Sequence, residues 1–152
     1  MQARDLARPY PTVRLDADGL TAARLMTEHS RPGLIVVDEH DHPIAVLPGS
    51  QVLRMMIPSY VQDDPALARV LEEEYADKLA NGLAQHKVRD LIPKDRAVLP
   101  VVAPDDTVLE IAAVMAANRC PLVAVVEEDR PKAPLLGAIS ATELLGRVLP
   151  SE

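Results

Sequence analysis

The stretch "LTAARLMTEHSRPGLIVVD", residues 20–38, returns as "LEIAAVMAANRCPLVAVVE", residues 109–127. Each version ends its first half on a Met and closes an apolar run with an acid twelve positions later, Met26 to Asp38 and Met115 to Glu127. The correspondence extends outward in both directions. Arg4-Asp5-Leu6 recurs as Arg89-Asp90-Leu91, 85 positions on, and "AVLPGSQVL" from Ala45 as "GAISATELL" from Gly137, 92 positions on. The offset grows by four before the first helix and by three at a hairpin tip, where loops absorb residues without disturbing the elements they join. The chain is a repeat, and the order of its matched blocks is preserved.

Each copy has the same predicted grammar. A β-branched stretch (12–15; 97–102) leads through an Asp-containing turn, with Asp16 and Asp18 or Asp105 and Asp106, into an amphipathic helix. Thr107 and Glu110 have capping-box spacing and mark that helix start in the second copy. Leu109, Ala112, Ala113 and Ala116 form an i, i+3, i+4, i+7 stripe, expected to be its buried face. Two apolar runs follow (34–37 and 44–47; 122–126 and 135–139), then a closing helix (49–57; 141–149). Between the copies, Asp63-Asp64-Pro65 suits a helix start. Leu67, Val70, Leu71, Tyr75, Leu79 and Leu83 keep helical spacing from there, "EEEYADK" supplies a solvated face, and Asn81-Gly82 is expected to weaken or end this connector. The boundaries are residues 1–60, 61–87 and 88–152.

Composition restricts the function classes. Among 152 residues, 48% are hydrophobic, enough for a packed core. Phe and Trp are absent and Tyr occurs three times, so the core is aliphatic and lacks platforms for stacking single-stranded bases. A net charge of −7 with no basic stripe argues against binding nucleic acid as a polymer. The single Cys120 forms no internal disulfide, as suits a reducing cytoplasm. There is no signal-peptide pattern and no apolar run near the ~20 residues needed to cross a bilayer, so no membrane insertion is expected. Phosphate-loop, nucleophile-elbow and zinc-protease motifs are missing, and no enzymatic activity is expected.

Asp38-Glu39-His40-Asp41-His42 has the residue types of a metal site. The equivalent second-copy turn, "EEDRPKAP", contains no histidine. Polar residues tolerant of tight backbone geometry are what a hairpin tip requires, and a closed metal site needs a spaced ligand set. The segment is read as a hairpin tip, with no metal. Cys120, just before Pro121 and an apolar strand, is read as a small buried hydrophobe.

The duplicated blocks, "LTAARLMTEHSRPGLIVVDEHDHPIAVL" in one copy and "TVLEIAAVMAANRCPLVAVVEED" with "LLGAISATELL" in the other, resemble a tandem pair of cystathionine-β-synthase (CBS) domains, a Bateman module. The resemblance covers about Arg4 to Leu149. It implies an α/β fold of two β-α-β-β-α repeats related by a pseudo-two-fold axis and joined by an amphipathic helix. It also implies a non-enzymatic regulator that binds an adenine-containing ligand (AMP, ADP, ATP or S-adenosylmethionine) between the repeats and signals to a separate enzyme, channel or transporter. The alternative is a ligand-free dimerising scaffold.

Family members carry Gly-x-Ile/Val-Ser/Thr-x-x-Asp where the last strand enters the last helix, and its hydroxyl and carboxylate hold ribose or phosphate oxygens. The second copy matches with Gly137, Ser140 and Glu143, the last longer by one methylene than the family's Asp. The first copy has Ala45, Pro48 and Gln51 there. Ser140 and Glu143 also have capping-box spacing, so the pair has a purely structural reading too. By resemblance the adenine lies against Pro100 to Val102 and near Leu122 and Val123, an apolar slot with backbone polar groups. Lys94, Arg96 and Arg119 are candidates for phosphate contact. Val52, Leu53, Met56 and Ile57, with Leu144, Leu145, Val148 and Leu149, supply more apolar surface than one small unit covers, so a two-fold homodimer is expected.

Overall fold

The computed structural model describes residues 1–57, 61, 63–70, 73–92, 99–127, 130 and 132–151. A four-residue helix, α1 (Ala3–Leu6), precedes β1 (Thr12–Arg14), α2 (Gly19–His29), β2 (Gly33–Val37), β3 (Pro43–Pro48) and α3 (Gly49–Met56). The connector comprises a 3-10 helix, Pro65–Val70, and α4 (Glu73–Ala84). The second copy repeats the pattern: α5 (Val88–Leu91), β4 (Val101–Val102), α6 (Val108–Asn118), β5 (Leu122–Val125), β6 (Gly137–Ser140) and α7 (Ala141–Val148). Two three-stranded sheets result, ordered β1-β2-β3 and β4-β5-β6. In the second, β4 runs parallel to β5, while β5 pairs antiparallel with β6 from Leu122 opposite Ser140 to Val125 opposite Gly137.

The recurring residues have local jobs that recur with them. Asp5 accepts the backbone N–H of Gln2 at 2.9 Å, and Asp90 that of Lys87 at 3.2 Å, capping the two short helices. Leu6 and Leu91 are buried. Asp18 and Thr107, 89 positions apart, are the N-caps of α2 and α6. Thr107 and Glu110 form the expected capping box, at 2.6 and 3.3 Å. The Asp18 carboxylate accepts the Thr21 N–H at 2.7 Å, and this bond, above all, holds its pKa below the ordinary carboxylate value. The stabilisation from such a lowered group is complete above the unfolded-state value, about 3.9, and is lost as pH falls through the folded one. Asp18→Asn keeps a capping oxygen without the charge. It is expected to unfold more easily than the wild type at pH 7 and to match it below both pKa values; denaturation curves at the two pH values check this, and a gap independent of pH would refute it.

The chain divides into two compact units. One comprises Met1–Tyr10, Val37–Ala45 and Ala97–Glu152; the other comprises Pro11–Val36 and Val46–Arg96. The short helix that opens each copy in sequence is therefore held by the turn of the other copy. Ala3 and Arg4 donate backbone N–H groups to Asp106 O and Pro104 O, at 2.8 and 2.9 Å. Val88 and Arg89 do the same to Ala17 O and Leu15 O, at 2.8 and 3.1 Å. Donors 85 apart meeting acceptors 89 apart make this a repeated exchange of segments.

The core of the unit built on the second copy is aliphatic: Ala3, Leu6, Val102, Ile111, Met115, Val123, Val125, Ile139 and Leu144. This corrects the expected buried stripe of α6. Ile111 and Met115 face the core, whereas Leu109 is 79% exposed and Ala113 and Ala116 are exposed. Nearly every position of α6 is apolar, so spacing could not select the inward face, and the sheet beneath did. The first copy buries the equivalent pair, Ala22 and Met26.

The connector also differs from a single helix stopped by Asn81-Gly82. Its first turns are 3-10, and α4 continues through Gly82 to Ala84. Leu83 is buried, and the last turn passes so close to α2 that a Cβ on Gly19 would lie 2.8 Å from the Leu83 carbonyl oxygen. Tertiary burial thus outweighs the helix-weakening effect of glycine. Leu79 is half-buried and Leu67 exposed, while Leu71 and the side chains of Val70 and Tyr75 lie outside the described residues.

Candidate functional site

The turn from β6 into α7 carries the polar motif. Ser140 leaves the strand in extended conformation and caps α7: its Oγ accepts the Glu143 N–H at 3.2 Å, and its own N–H donates to Glu143 Oε2 at 3.0 Å. The capping box is formed, and both residues remain half-buried. Gly137, at the start of β6, is buried against the N-terminal segment. Arg8 and Ala138 exchange backbone hydrogen bonds at 2.9 and 3.0 Å, lining the free edge of β6. A Cβ on Gly137 would meet Ala7 Cβ at 3.0 Å and Arg8 O at 3.1 Å. The glycine therefore has a packing reason of its own, which is to let the exchanged segment close on the sheet.

That segment and α7 enclose a cleft of about 260 Å³ lined by Leu6, Arg8, Glu143, Gly146 and Arg147. It combines an apolar wall, a carboxylate and two guanidinium groups. A Glu four residues before an Arg ordinarily pairs with it along a helix. Here Glu143 turns back to its cap, and among the described residues neither Arg147 nor Arg8 has a carboxylate partner. Neither arginine was singled out in the sequence. Arg147 was readable from its i+4 relation to Glu143; Arg8 reaches the cleft only through the segment exchange.

The remaining predicted positions are distributed as follows. Pro100, Leu122 and Val123 are buried and do not line this cleft; Val102 is buried beneath a different one. Arg119 is the exposed C-cap of α6, in left-handed conformation at φ 50°, and is not at the cleft. Lys94 and Arg96 lie outside the described residues. Cys120 is half-buried rather than enclosed, because it directly follows that helix end.

The histidine-rich turn is a hairpin tip with an additional role. Asp38 Oδ1 accepts the backbone N–H groups of His40 and His42, at 2.8 and 3.0 Å. Burial raises the Asp38 pKa, but these two bonds outweigh it and leave the net value lowered. His40 stays exposed beside Glu39, 3.4 Å away. His42 is half-buried, and its Nδ1 donates to the Ala133 carbonyl at 2.7 Å, while Leu135 N–H donates to Asp41 O at 2.9 Å. The first hairpin tip is thereby tied to the second copy's turn. The two imidazoles have separate uses, and among the described residues no three His, Cys, Asp or Glu side chains could hold a metal ion together. Beside His42, Val101, Val102, Ala103, Asp106, Val126, Glu127, Arg130 and Lys132 line a second cleft of about 280 Å³. Its Glu127 and Arg130 are already paired, at 3.4 Å.

Comparison with known proteins agrees with this architecture. Residues 3–57 and 88–150 each match the CBS domain model. A CBS domain-containing protein from Kribbella flavida DSM 17836 is 52% identical, with a TM-score of 0.89 over 99% of both chains. The CBS domain of a membrane protein from Sphaerobacter thermophilus is 25% identical, with a TM-score of 0.74 over 99% of this chain and 90% of that one. CBSX2, solved in complex with AMP, shares the fold at 15% identity and a TM-score of 0.64, over 96% and 94% of the two chains. No curated protein matches the sequence. No helix among the described residues is long and apolar enough to cross a membrane. With both repeats matched, and one solved CBS protein following the chain almost end to end, this protein belongs to the CBS domain family as a tandem pair.

Proposed function

We propose that the chain is a non-enzymatic, cytoplasmic regulatory module that binds an adenine-containing small molecule and passes the signal to a separate effector protein, an enzyme or transporter. The observation that carries this reading is the second copy's Gly137, Ser140 and Glu143 at a strand-to-helix turn, beside a cleft that holds a carboxylate and two arginines. In this reading Glu143 accepts from ribose hydroxyls and the adenine ring lies against the apolar wall of the same cleft at Leu6; Pro100, Val102, Leu122 and Val123, expected from the resemblance, do not line it. The AMP complex of CBSX2, a protein of the same fold, supports the ligand class. The first copy, with Pro48 and Gln51, lacks both the hydroxyl and the carboxylate and is assigned no nucleotide. We further propose that two copies associate about a two-fold axis through the apolar faces of their helices.

The ligand-free dimerising scaffold is kept as a second reading for one reason: Ser140 and Glu143 already satisfy one another. A thermal-shift series with adenosine, AMP, ADP, ATP and S-adenosylmethionine separates the two. A ligand at a hundred times its dissociation constant adds about 2.7 kcal/mol, or roughly 5–10 °C for a domain of this size. No shift with any of the five would leave the scaffold as the function.

A further inference from the structure

We propose that a second copy of this chain docks on the outer sides of α6 and α7, and that the equivalent helices of the first copy, α2 and α3, take no part. The inference deepens the two-fold dimer already proposed, and rests on it, by naming its face. The internal repeat is its own control. α2 and α6 correspond residue for residue 89 positions apart, and α3 and α7 92 positions apart. Both copies bury the same inner positions: Ala22, Met26 and Val52 in one, Ile111, Met115 and Leu144 in the other.

The outer positions differ in chemistry. The exposed side chains of α2 include Arg24, Thr27 and Glu28. The same three positions of α6 are Ala113, Ala116 and Ala117, and they are exposed as well. Arg54, exposed on α3, is replaced on α7 by Gly146, where a Cβ would meet no atom within 4 Å. Outward, α6 presents Leu109, Ala113 and Ala116, which share one helical face by their spacing; inward it presents Ile111 and Met115. A helix apolar on both sides is a buried helix. In the first copy α4 packs on both α2 and α3, and Leu20, Met56 and Ile57 are half-buried. Their counterparts Leu109, Val148 and Leu149 are 79%, 58% and 63% exposed. Among the described residues, no third helix packs on α6 and α7 as α4 does on α2 and α3.

The occupant follows from the shape and charge of these helices. α4 comes close to α2 where residue 19 is glycine, since a Cβ there would lie 2.8 Å from the Leu83 carbonyl oxygen. Val108 holds that position on α6, which closes this end to a foreign helix lying as α4 does. The outer sides also carry knobs and hollows together, Leu109 with Ala113 and Ala116 on α6, and Leu145 and Leu149 with Gly146 on α7. A surface with both can meet itself across a two-fold axis, as an isologous interface requires. Both charge signs are present too. Glu110 on α6 and Arg147 on α7 are exposed, and among the described residues Arg147 has no carboxylate partner.

The test is sedimentation equilibrium on the full chain over a micromolar concentration series, with circular dichroism to check the fold. Ala113→Arg with Ala116→Thr and Ala117→Glu gives α6 the side chains that α2 carries at the same exposed positions, so the fold is expected to tolerate them. Ala113→Arg alone is a milder probe of the same face. Leu53→Asp is the control in the first copy, where Leu53 is 58% exposed against 57% for Leu145. The triple variant is expected to raise the dimer dissociation constant roughly a hundredfold or more, Ala113→Arg roughly tenfold, and Leu53→Asp by less than about threefold, because only the first two place unpaired charge in the interface. A dimer that survives both α6 variants, or that Leu53→Asp disrupts as strongly, overturns this face while leaving the two-fold dimer standing. A wild type that stays monomeric throughout the series removes the dimer itself, and this inference with it.

Discussion

Ile139→Ala is expected to lower the free energy of unfolding by about 2–5 kcal/mol, the range for a large aliphatic side chain truncated in a closed core. Ile139 is fully buried in β6, opposite Val123 on β5, in a cluster with Ile111, Met115, Val125 and Leu144. This core contains no aromatic ring and is filled by branched aliphatic chains, so the lost methyl and methylene groups leave a void that stiff neighbours on a hydrogen-bonded sheet fill poorly. Domains of this kind have only about 5–15 kcal/mol in total, so the loss is a large fraction of the whole. Leu136→Ala is the control: the residue is 50% exposed, and its truncation is expected to shift stability by no more than about 0.5 kcal/mol. Urea unfolding followed by circular dichroism measures both. A loss below about 1 kcal/mol for Ile139→Ala would mean that the core is not organised around this strand.

The double variant Leu145→Asp, Val148→Asp is expected to convert a dimer into a monomer, with the mass in light scattering falling from twice 16.5 kDa to the single value. Sequence reading proposed that both closing helices expose apolar surface, and the packing sorts those residues. Val52 and Leu144 go into their own cores, while Leu53, Leu145, Val148 and Leu149 remain 57–63% exposed. On the second copy, Leu109 of α6 is also exposed, at 79%. The exposed aliphatic side chains of α7 are the ground for the proposed interface. A carboxylate placed at its centre must be desolvated without a partner, which costs several kcal/mol per group and raises the dissociation constant by at least a hundredfold. A wild type that scatters as a monomer at micromolar concentration would end the dimer proposal before the variant is made.

What the sequence determined was whatever is decided within a few residues, or by direct repetition. Thr107 and Glu110 close the capping box that their spacing predicts, and the Asp38–His42 stretch forms the expected hairpin tip, with Asp38 accepting from its own next backbone groups. Each of these is a short-range hydrogen bond whose partners are neighbours in the chain, so spacing alone reveals it. The apolar runs 34–37 and 122–125 became strands buried on both faces, which need no phase, whereas 44–47 alternates and the run 135–139 enters its strand only at Gly137, with Leu136 exposed. The Ser140–Glu143 pair was legible as a cap and as a family motif at once, and the structure forms the cap.

What only the tertiary structure decided depends on contacts between distant segments. The Arg-Asp-Leu repeat identified two equivalent segments but neither their helical form nor their hosts; the exchange rests on backbone bonds such as Ala3 to Asp106 and Val88 to Ala17, and backbone groups carry no sequence signature. His42 reaching the Ala133 carbonyl is of the same kind. The inward face of α6 was undetermined because an almost wholly apolar helix has no phase of its own, and burial of Ile111 and Met115 against β5 and β6 set it. Arg8 became a cleft residue because the N-terminal segment closes on β6, where Gly137 lets the backbones approach. Local bonds read out from spacing, but the choice of which surface meets which is made by the packing free energy of the whole unit.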